Sequence, residues 1–335
     1  MTFQAGKGCL PTIASLRSKA LQASALLWQQ YGRLQWGRSM WLMLQLEKAC
    51  VMPAGQSACG VWGVLPLRGA AREARAALAA LHLQHLKKLV GLRQSVPTPN
   101  LLSELRQSEM SDVWLLRAAG FWRSTVASPG MHQQIALDAV QLAVSGVRSG
   151  LAAGLVPSLR VVGYEMSLVA GSLPEIDITQ LRHNLRTCRD EVWQELHVSP
   201  RLASSTNARL CTYYRWFQPF AQAATILRLP IHTAMRHLLL FRTGCHGLAV
   251  DLGRGNGIES RTVLRLCGAC PEDEMHLVFK CAALQMLRDN MPTQFQGVHS
   301  KRCFVWQDNM MLMSRFVRDA MRMVRAASSG DELDV

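Results

Sequence analysis

Apolar residues recur at helical spacing along most of the chain, and polar residues fill the positions between them. Over residues 12–51, Leu16, Ala20, Ala23, Leu26, Leu27 and Tyr31 trace one stripe, with Arg17, Lys19, Arg33 and Arg38 outside it. Spacing of three and four residues predicts an amphipathic helix. Trp36, Met40, Trp41, Met43, Leu44 and Leu46 begin a second apolar face after Gly37. Pro53 and Gly55 interrupt it. The small, apolar, glycine-flanked run from Ser57 to Gly63 is expected to form a buried turn or a short strand. Residues 68–91 give the clearest helix, with Leu78, Leu81, Leu86 and Leu89 on one face and Gly91 as a stop. His82 and His85 lie three apart on it. A metal would need two further ligands, and none is near in sequence, so this pair reads as structural.

Val96-Pro97-Thr98-Pro99-Asn100 is a rigid connector, because proline disfavours helix at the residue before it. Asn100 is expected to cap a short helix through Gln107. Ser111 or Asp112 is expected to cap the next, which carries Trp114, Leu115, Ala118, Phe121 and Trp122 and ends at Pro129-Gly130. Residues 131–145 repeat the helical pattern. From Gly150 to Leu173 the chain is apolar, glycine-punctuated and without evident chemistry. An amphipathic helix is expected from Asp177 to His197, a linker from Ser199 to Thr206, and a helix from Ile231 to Arg242. A terminal helix from Cys303 to Met323 turns Trp306, Leu312, Phe316, Val317 and Met321 inward. The tail, residues 328–335, is short and acidic and is expected to be disordered.

Composition sharpens this picture. Of 335 residues 49% are hydrophobic but only 7% aromatic, a mix rich in Ala, Leu and Met that favours helices. Mean hydropathy is +0.06, and no apolar run reaches the ~18 residues that a membrane helix needs. The N-terminus has no signal-peptide core. The ten cysteines are therefore expected in an intracellular, reducing setting, as core residues or metal thiolates rather than disulfides. Net charge is +14, unevenly spread. Residues 1–100 carry 12 Lys and Arg against 2 acids, residues 101–200 carry 8 against 10, and residues 201–335 carry 17 against 11. Arginine-rich basic ends suit phosphate, which guanidinium binds bidentately. A solvated basic surface is the competing account.

The most informative stretch runs from Leu266 to Arg288. Cys267, Cys270, His276 and Cys281 form the pattern C-x2-C-x5-H-x4-C. Zinc takes four sulfur or imidazole ligands in a tetrahedron, and a site closed by four protein side chains is structural. The small Gly268-Ala269 step lets both leading thiolates point inward. Glu272, Asp273 and Glu274 suit a helix start, where acids meet the positive end of the dipole. The spacing departs from a two-histidine finger and is closer to a zinc knuckle, a type associated with nucleic-acid binding. Arg242, Arg254, Arg261, Arg265 and Lys280 are the expected phosphate contacts around it. Tyr213, Tyr214, Trp216 and Phe217 beside Arg209 and Arg215 suit either a single-strand stacking surface or a helix-to-core anchor. Cys245 and His246 are expected to supply either a contact behind the ligands or an alternative ligand.

A family resemblance rests on these residues. F-R-T-G-C-H-G-L (Phe241 to Leu248), D-L-G-R, R-L-C-G-A-C and D-E-M-H-L-V-F-K-C together resemble the zinc-binding C-terminal region of reverse transcriptases from non-LTR retrotransposons. Phe304-Val305-Trp306-Gln307-Asp308 extends the likeness downstream. Leu86 to Thr98 and Ala119 to Arg123 are similar to the helical segment after the polymerase palm. The resemblance implies Zn2+ on Cys267, Cys270, His276 and Cys281, and engagement of RNA or DNA. It does not carry polymerase activity with it. A polymerase needs paired aspartates to hold two cations, and no Asp-Asp pair occurs anywhere in the sequence. There is likewise no G-x-S-x-G, H-E-x-x-H or Walker loop.

The expectation is therefore a mostly α protein with a helical N-terminal lobe, residues 1–198, and a small zinc-stabilised helical lobe, residues 199–327. Its expected role is non-catalytic nucleic-acid binding, with no membrane and no small-molecule substrate. The alternative class is a structural or interaction protein, or an inert remnant of a decayed element.

Overall fold

The computed structural model describes residues 10–32, 40–65, 67, 69–148, 150–198, 233–248, 266–267, 273–291 and 310–329. Every regular element among them is helical, and none is a strand. The chain divides into two compact units, each discontinuous in sequence. The first comprises Met1–Arg33, Leu46–Leu83 and Ser108–Glu195, and the second Leu34–Gln45, Gln84–Gln107 and Leu196–Val335. The second unit thus draws on two stretches that precede residue 198.

In the first unit, α1 (Leu10–Gly32) buries Ile13, Leu16 and Ala20, which fall on one face at i, i+3 and i+7. The expected stripe does not continue along its second half, where Leu26 is 59% exposed. Helix α2 (Met40–Leu46), which buries Met40, Met43 and Leu44, belongs to the second unit except for Leu46. A π turn, Glu47–Val51, leads to α3 (Met52–Gln56). The Ser57–Gly63 run is not a strand. After Ala58 turns through the left-handed region at φ 53°, α4 (Cys59–Trp62) forms one helical turn. Two glycines explain why. A Cβ on Gly60 would lie 2.9 Å from the Phe121 Cβ, and one on Gly63 would lie 2.9 Å from the Trp114 Cβ. Their absence lets α4 lie directly on α7 (Met110–Ala127), with Trp62 edge-on to Trp114 at 5.2 Å between ring centroids.

Helix α5 (Gly69–Leu89) follows, and its His82 bonds through Nδ1 to Glu47 Oε1 at 3.0 Å, both side chains being buried. Burial of a carboxylate demands such a partner, so His82 serves structure, as its sequence context suggested. The larger core of the unit joins α7, α8 (Met131–Val144), α9 (Leu151–Val161) and α10 (Ile178–Val198) around Trp122, Val140, Leu155, Leu159 and Leu181. Trp122 Nε1 donates to the Pro174 carbonyl at 2.9 Å. Asp177 caps α10 by accepting from the amides of Thr179 and Gln180 at 2.7 and 3.2 Å. Asp112 does not cap α7. It pairs with Arg189 of α10, while Glu109 occupies the cap position.

In the second unit, α6 (Thr98–Leu105) is nearly all buried. Asn100 sits inside it rather than at its start, and Nδ2 donates to the Thr243 carbonyl at 3.3 Å. Pro97 takes the cap position instead, which suits a residue with φ fixed near the extended region. Helix α11 (Thr233–Arg242) packs on the long terminal helix α13 (Met310–Ser329), which also receives the short α12 (Gln285–Asp289). Trp306 and the tail lie outside the described residues, as does the linker at 199–206.

Candidate metal centre

The second unit brings three soft ligands to one point. Cys267 Sγ lies 3.1 Å from His276 Nε2. These two atoms and Cys281 Sγ all fall within 4.8 Å of one another. Local sequence accounts for the convergence. Asp273 accepts from the His276 amide through Oδ1 at 2.6 Å, and its carbonyl accepts from Leu277. An acid at this cap satisfies a free amide and suits the helix dipole. The helix then widens. His276–Lys280 is a π turn closed by the Cys281 amide on the His276 carbonyl at 2.8 Å. Five residues of α-helix would rotate Cys281 by about 140° away from His276. An i→i+5 turn accommodates those five residues in a single turn and returns Cys281 toward the same side. At Cys281 the backbone leaves the helix, at φ −64° and ψ 115°.

The distances suit a small tetrahedral ion. Zinc with Zn–S of about 2.3 Å and Zn–N of about 2.0–2.1 Å sets S···N near ~3.5 Å and S···S near ~3.8 Å. The 3.1 Å between Cys267 and His276 is a little under the zinc value and the other pairs lie within 4.8 Å, a spread that modest side-chain adjustments can bring to this geometry. The electrostatics point the same way. Burial pushes the Cys281 thiol up, and the neighbouring Cys267 pushes it further, while the amides of Ala283 and Leu284 oppose the rise. Two thiols held this close in a buried site repel once ionised, and a cation between them removes that repulsion. His276 is itself buried, and its Nδ1 has no hydrogen-bond partner among the described residues.

Beside this cluster, Glu274 receives a bond from His246, Nε2 to Oε1, at 2.9 Å. The Leu248 amide donates to His246 Nδ1 at 3.1 Å. A nitrogen that accepts carries no proton, so His246 is the neutral Nε2–H tautomer and donates to the carboxylate. The pair ties the loop after α11 to the helix bearing His276. His246 is thus engaged two residues from a ligand without being one. Cys245 is buried, with Sγ 3.8 Å from the Ser95 carbonyl, and does not join the cluster.

The remaining expected residues are placed unevenly. Cys270, Arg254, Arg261 and Arg265 lie outside the described residues, as does the aromatic stretch at 208–217. Lys280 is exposed at the end of the π turn. Arg242 is turned inward. Its side chain is 7% exposed, and Nε donates to Glu104 Oε1 at 2.9 Å, so its guanidinium is engaged by a carboxylate rather than offered to solvent. Arginine ends α11 on the sequence, but nothing in the chain's local pattern announces that α6, some 138 residues earlier, supplies the countercharge. Among the described residues no helix is long and apolar enough to cross a membrane. No family model, no curated protein and no solved structure matches this chain.

Proposed function

We propose that this chain is a non-catalytic module that binds one zinc ion and, through its basic surface, nucleic acid. The observation that carries the reading is the meeting of Cys267, His276 and Cys281 ligand atoms within 4.8 Å. Thiolate and imidazole donors together favour a soft or borderline cation, and a tetrahedral set of this kind favours zinc. Cys270, three residues after Cys267, is the fourth ligand in this reading. Four protein ligands leave no open position for water or substrate, so the ion is structural. Its contribution is large. Structural zinc in small domains supplies about 10–16 kcal/mol of apparent binding free energy at neutral pH. Loading and folding of this part of the second unit are then one event.

The nucleic-acid half of the proposal rests on the charge of +14, on the knuckle-like spacing, and on the resemblance to the post-palm and zinc region of non-LTR retrotransposon reverse transcriptases. Lys280, exposed beside the ligands, and Arg254, Arg261 and Arg265, which lead up to Cys267, are the proposed phosphate contacts. Arg242 is not among them, because it is committed to Glu104. No catalytic step is assigned, since no paired aspartates are available to hold two metal ions.

The test is binding of the zinc-loaded protein to fluorescein-labelled single-stranded RNA and duplex DNA, followed by anisotropy. The expected result is binding at about 50 mM salt that weakens steeply by about 200 mM, as counterion release requires. No binding at the lower salt, or binding indifferent to salt, overturns the nucleic-acid role and favours an interaction protein.

A further inference from the structure

The terminal helix α13 has two faces of opposite character. Met313, Phe316, Val317, Met321 and Val324 are buried on one side. On the other, Arg315, Arg318, Arg322 and Arg325 recur at i, i+3, i+7 and i+10. At 3.6 residues per turn these four fall within about 80° of arc. Arg315, Arg322 and Arg325 are exposed, and Arg318 is partly so. Only one acid, Asp319, shares the helix. It grips Arg318 through two bonds, Nε to Oδ1 at 2.7 Å and Nη2 to Oδ2 at 2.9 Å, and lies 3.9 Å from Arg322 Nη1.

We propose that this arginine stripe is a phosphate-backbone contact surface, and that it forms part of the nucleic-acid face of the second unit. The inference rests on the nucleic-acid reading above and adds a site to it. Three features favour this occupant. All four cations are arginines, whose planar fork meets phosphate oxygens in pairs, whereas lysine offers a point charge. The stripe runs along the helix for about 15 Å at about 1.5 Å per residue, enough to follow a backbone across several nucleotides at about 3.4 Å each. The buried face anchors the helix to α11, so the arginines are presented on a fixed element rather than a loose tail. Asp319 acts against binding. It occupies the Arg318 guanidinium and adds negative charge where a phosphate approaches.

The test uses the full zinc-loaded chain and the same labelled RNA and duplex. The triple variant Arg315→Gln, Arg322→Gln, Arg325→Gln changes exposed positions to a residue that keeps helix propensity, and far-UV circular dichroism verifies the fold. Each lost phosphate contact lowers the slope of log affinity against log salt by about 0.9 on duplex and about 0.7 on single strands. The expected result is a slope lower by about 2.1 on single strands and about 2.7 on duplex, so that the rise from about 50 to about 200 mM salt weakens the variant about 20- to 40-fold less than the wild type. Asp319→Asn is expected to tighten binding at low salt. A wild type that binds with steep salt dependence beside a triple variant of unchanged slope overturns the stripe and leaves the nucleic-acid reading standing. A wild type that binds neither probe overturns both. Sedimentation with phosphatidylserine vesicles adds one arm. Arginine-dependent vesicle binding without nucleic-acid binding also overturns the proposal, in favour of an anionic membrane.

Discussion

Arg242→Met asks whether this guanidinium serves the fold or a ligand. The Glu104 side chain is 1% exposed and that of Arg242 7%. Removing one partner of a pair buried this deeply strands charge away from water, at a cost of about 3–5 kcal/mol. With a urea dependence of about 2 kcal/mol per molar, the unfolding midpoint falls by about 2 M. The assay is urea unfolding followed by far-UV circular dichroism, with the transition of the second unit resolved from that of the first. The double variant Glu104→Leu, Arg242→Met withdraws both charges together. It is expected to recover much of the loss, because replacing a whole buried pair by apolar groups is often neutral. In parallel, the salt slope of nucleic-acid binding is expected to stay at the wild-type value. A midpoint that does not move, together with a slope lower by about 0.9, refutes the reasoning and returns Arg242 to the binding surface.

Two further predictions concern the first unit. A Cβ on Gly154 would stand 2.3 Å from the Val64 carbonyl oxygen, and backbone yields less readily than a side chain. Gly154→Ala is therefore expected to destabilise by about 1–3 kcal/mol, visible in the same urea titration. Burial raises the Asp112 carboxyl above its usual range, against the opposing pull of Arg189. A raised native value means that the folded state holds the proton more tightly, so this group's stabilisation is full below the unfolded value and is lost as pH rises through the native one. The wild type should thus gain stability relative to Asp112→Asn between about pH 7 and about pH 3.5. Parallel stability curves for the two proteins would remove the assignment.

Helices were legible in the sequence because each needs only local spacing. The buried face of α13 is set by Phe316, Val317 and Met321, and Gly91, Pro129 and Gly130 mark stops where the chain does turn. What local spacing does not carry is the partner from elsewhere. Asn100 looks like a cap until its side chain is found on Thr243, and Asp112 looks like one until Arg189 takes it. Glu47 and His82 meet across 35 residues, and His246 and Glu274 across 28. The Ser57–Gly63 run has the small, apolar composition of a buried turn or short strand. It becomes helix because Gly60 and Gly63 allow α7 to approach its backbone. At the candidate metal centre the motif named Cys267, His276 and Cys281, the three side chains that meet, while Cys270 lies outside the described residues. The π turn that aligns His276 with Cys281 had no sequence signal of its own. The arginine stripe of α13 was present in the spacing from the outset, but it becomes a surface only once its opposite face is known to be buried.

The central claim is that one zinc ion joins four side chains near the C-terminus. X-ray absorption at the zinc edge, on protein purified without added metal and assayed for metal content, tests it most directly. The expected result is about one zinc per chain, with three sulfur neighbours at about 2.3 Å and one nitrogen at about 2.0–2.1 Å. Cys281→Ser should abolish that signature. A folded, metal-free protein, or a zinc shell made of oxygen and nitrogen without sulfur, would contradict the account.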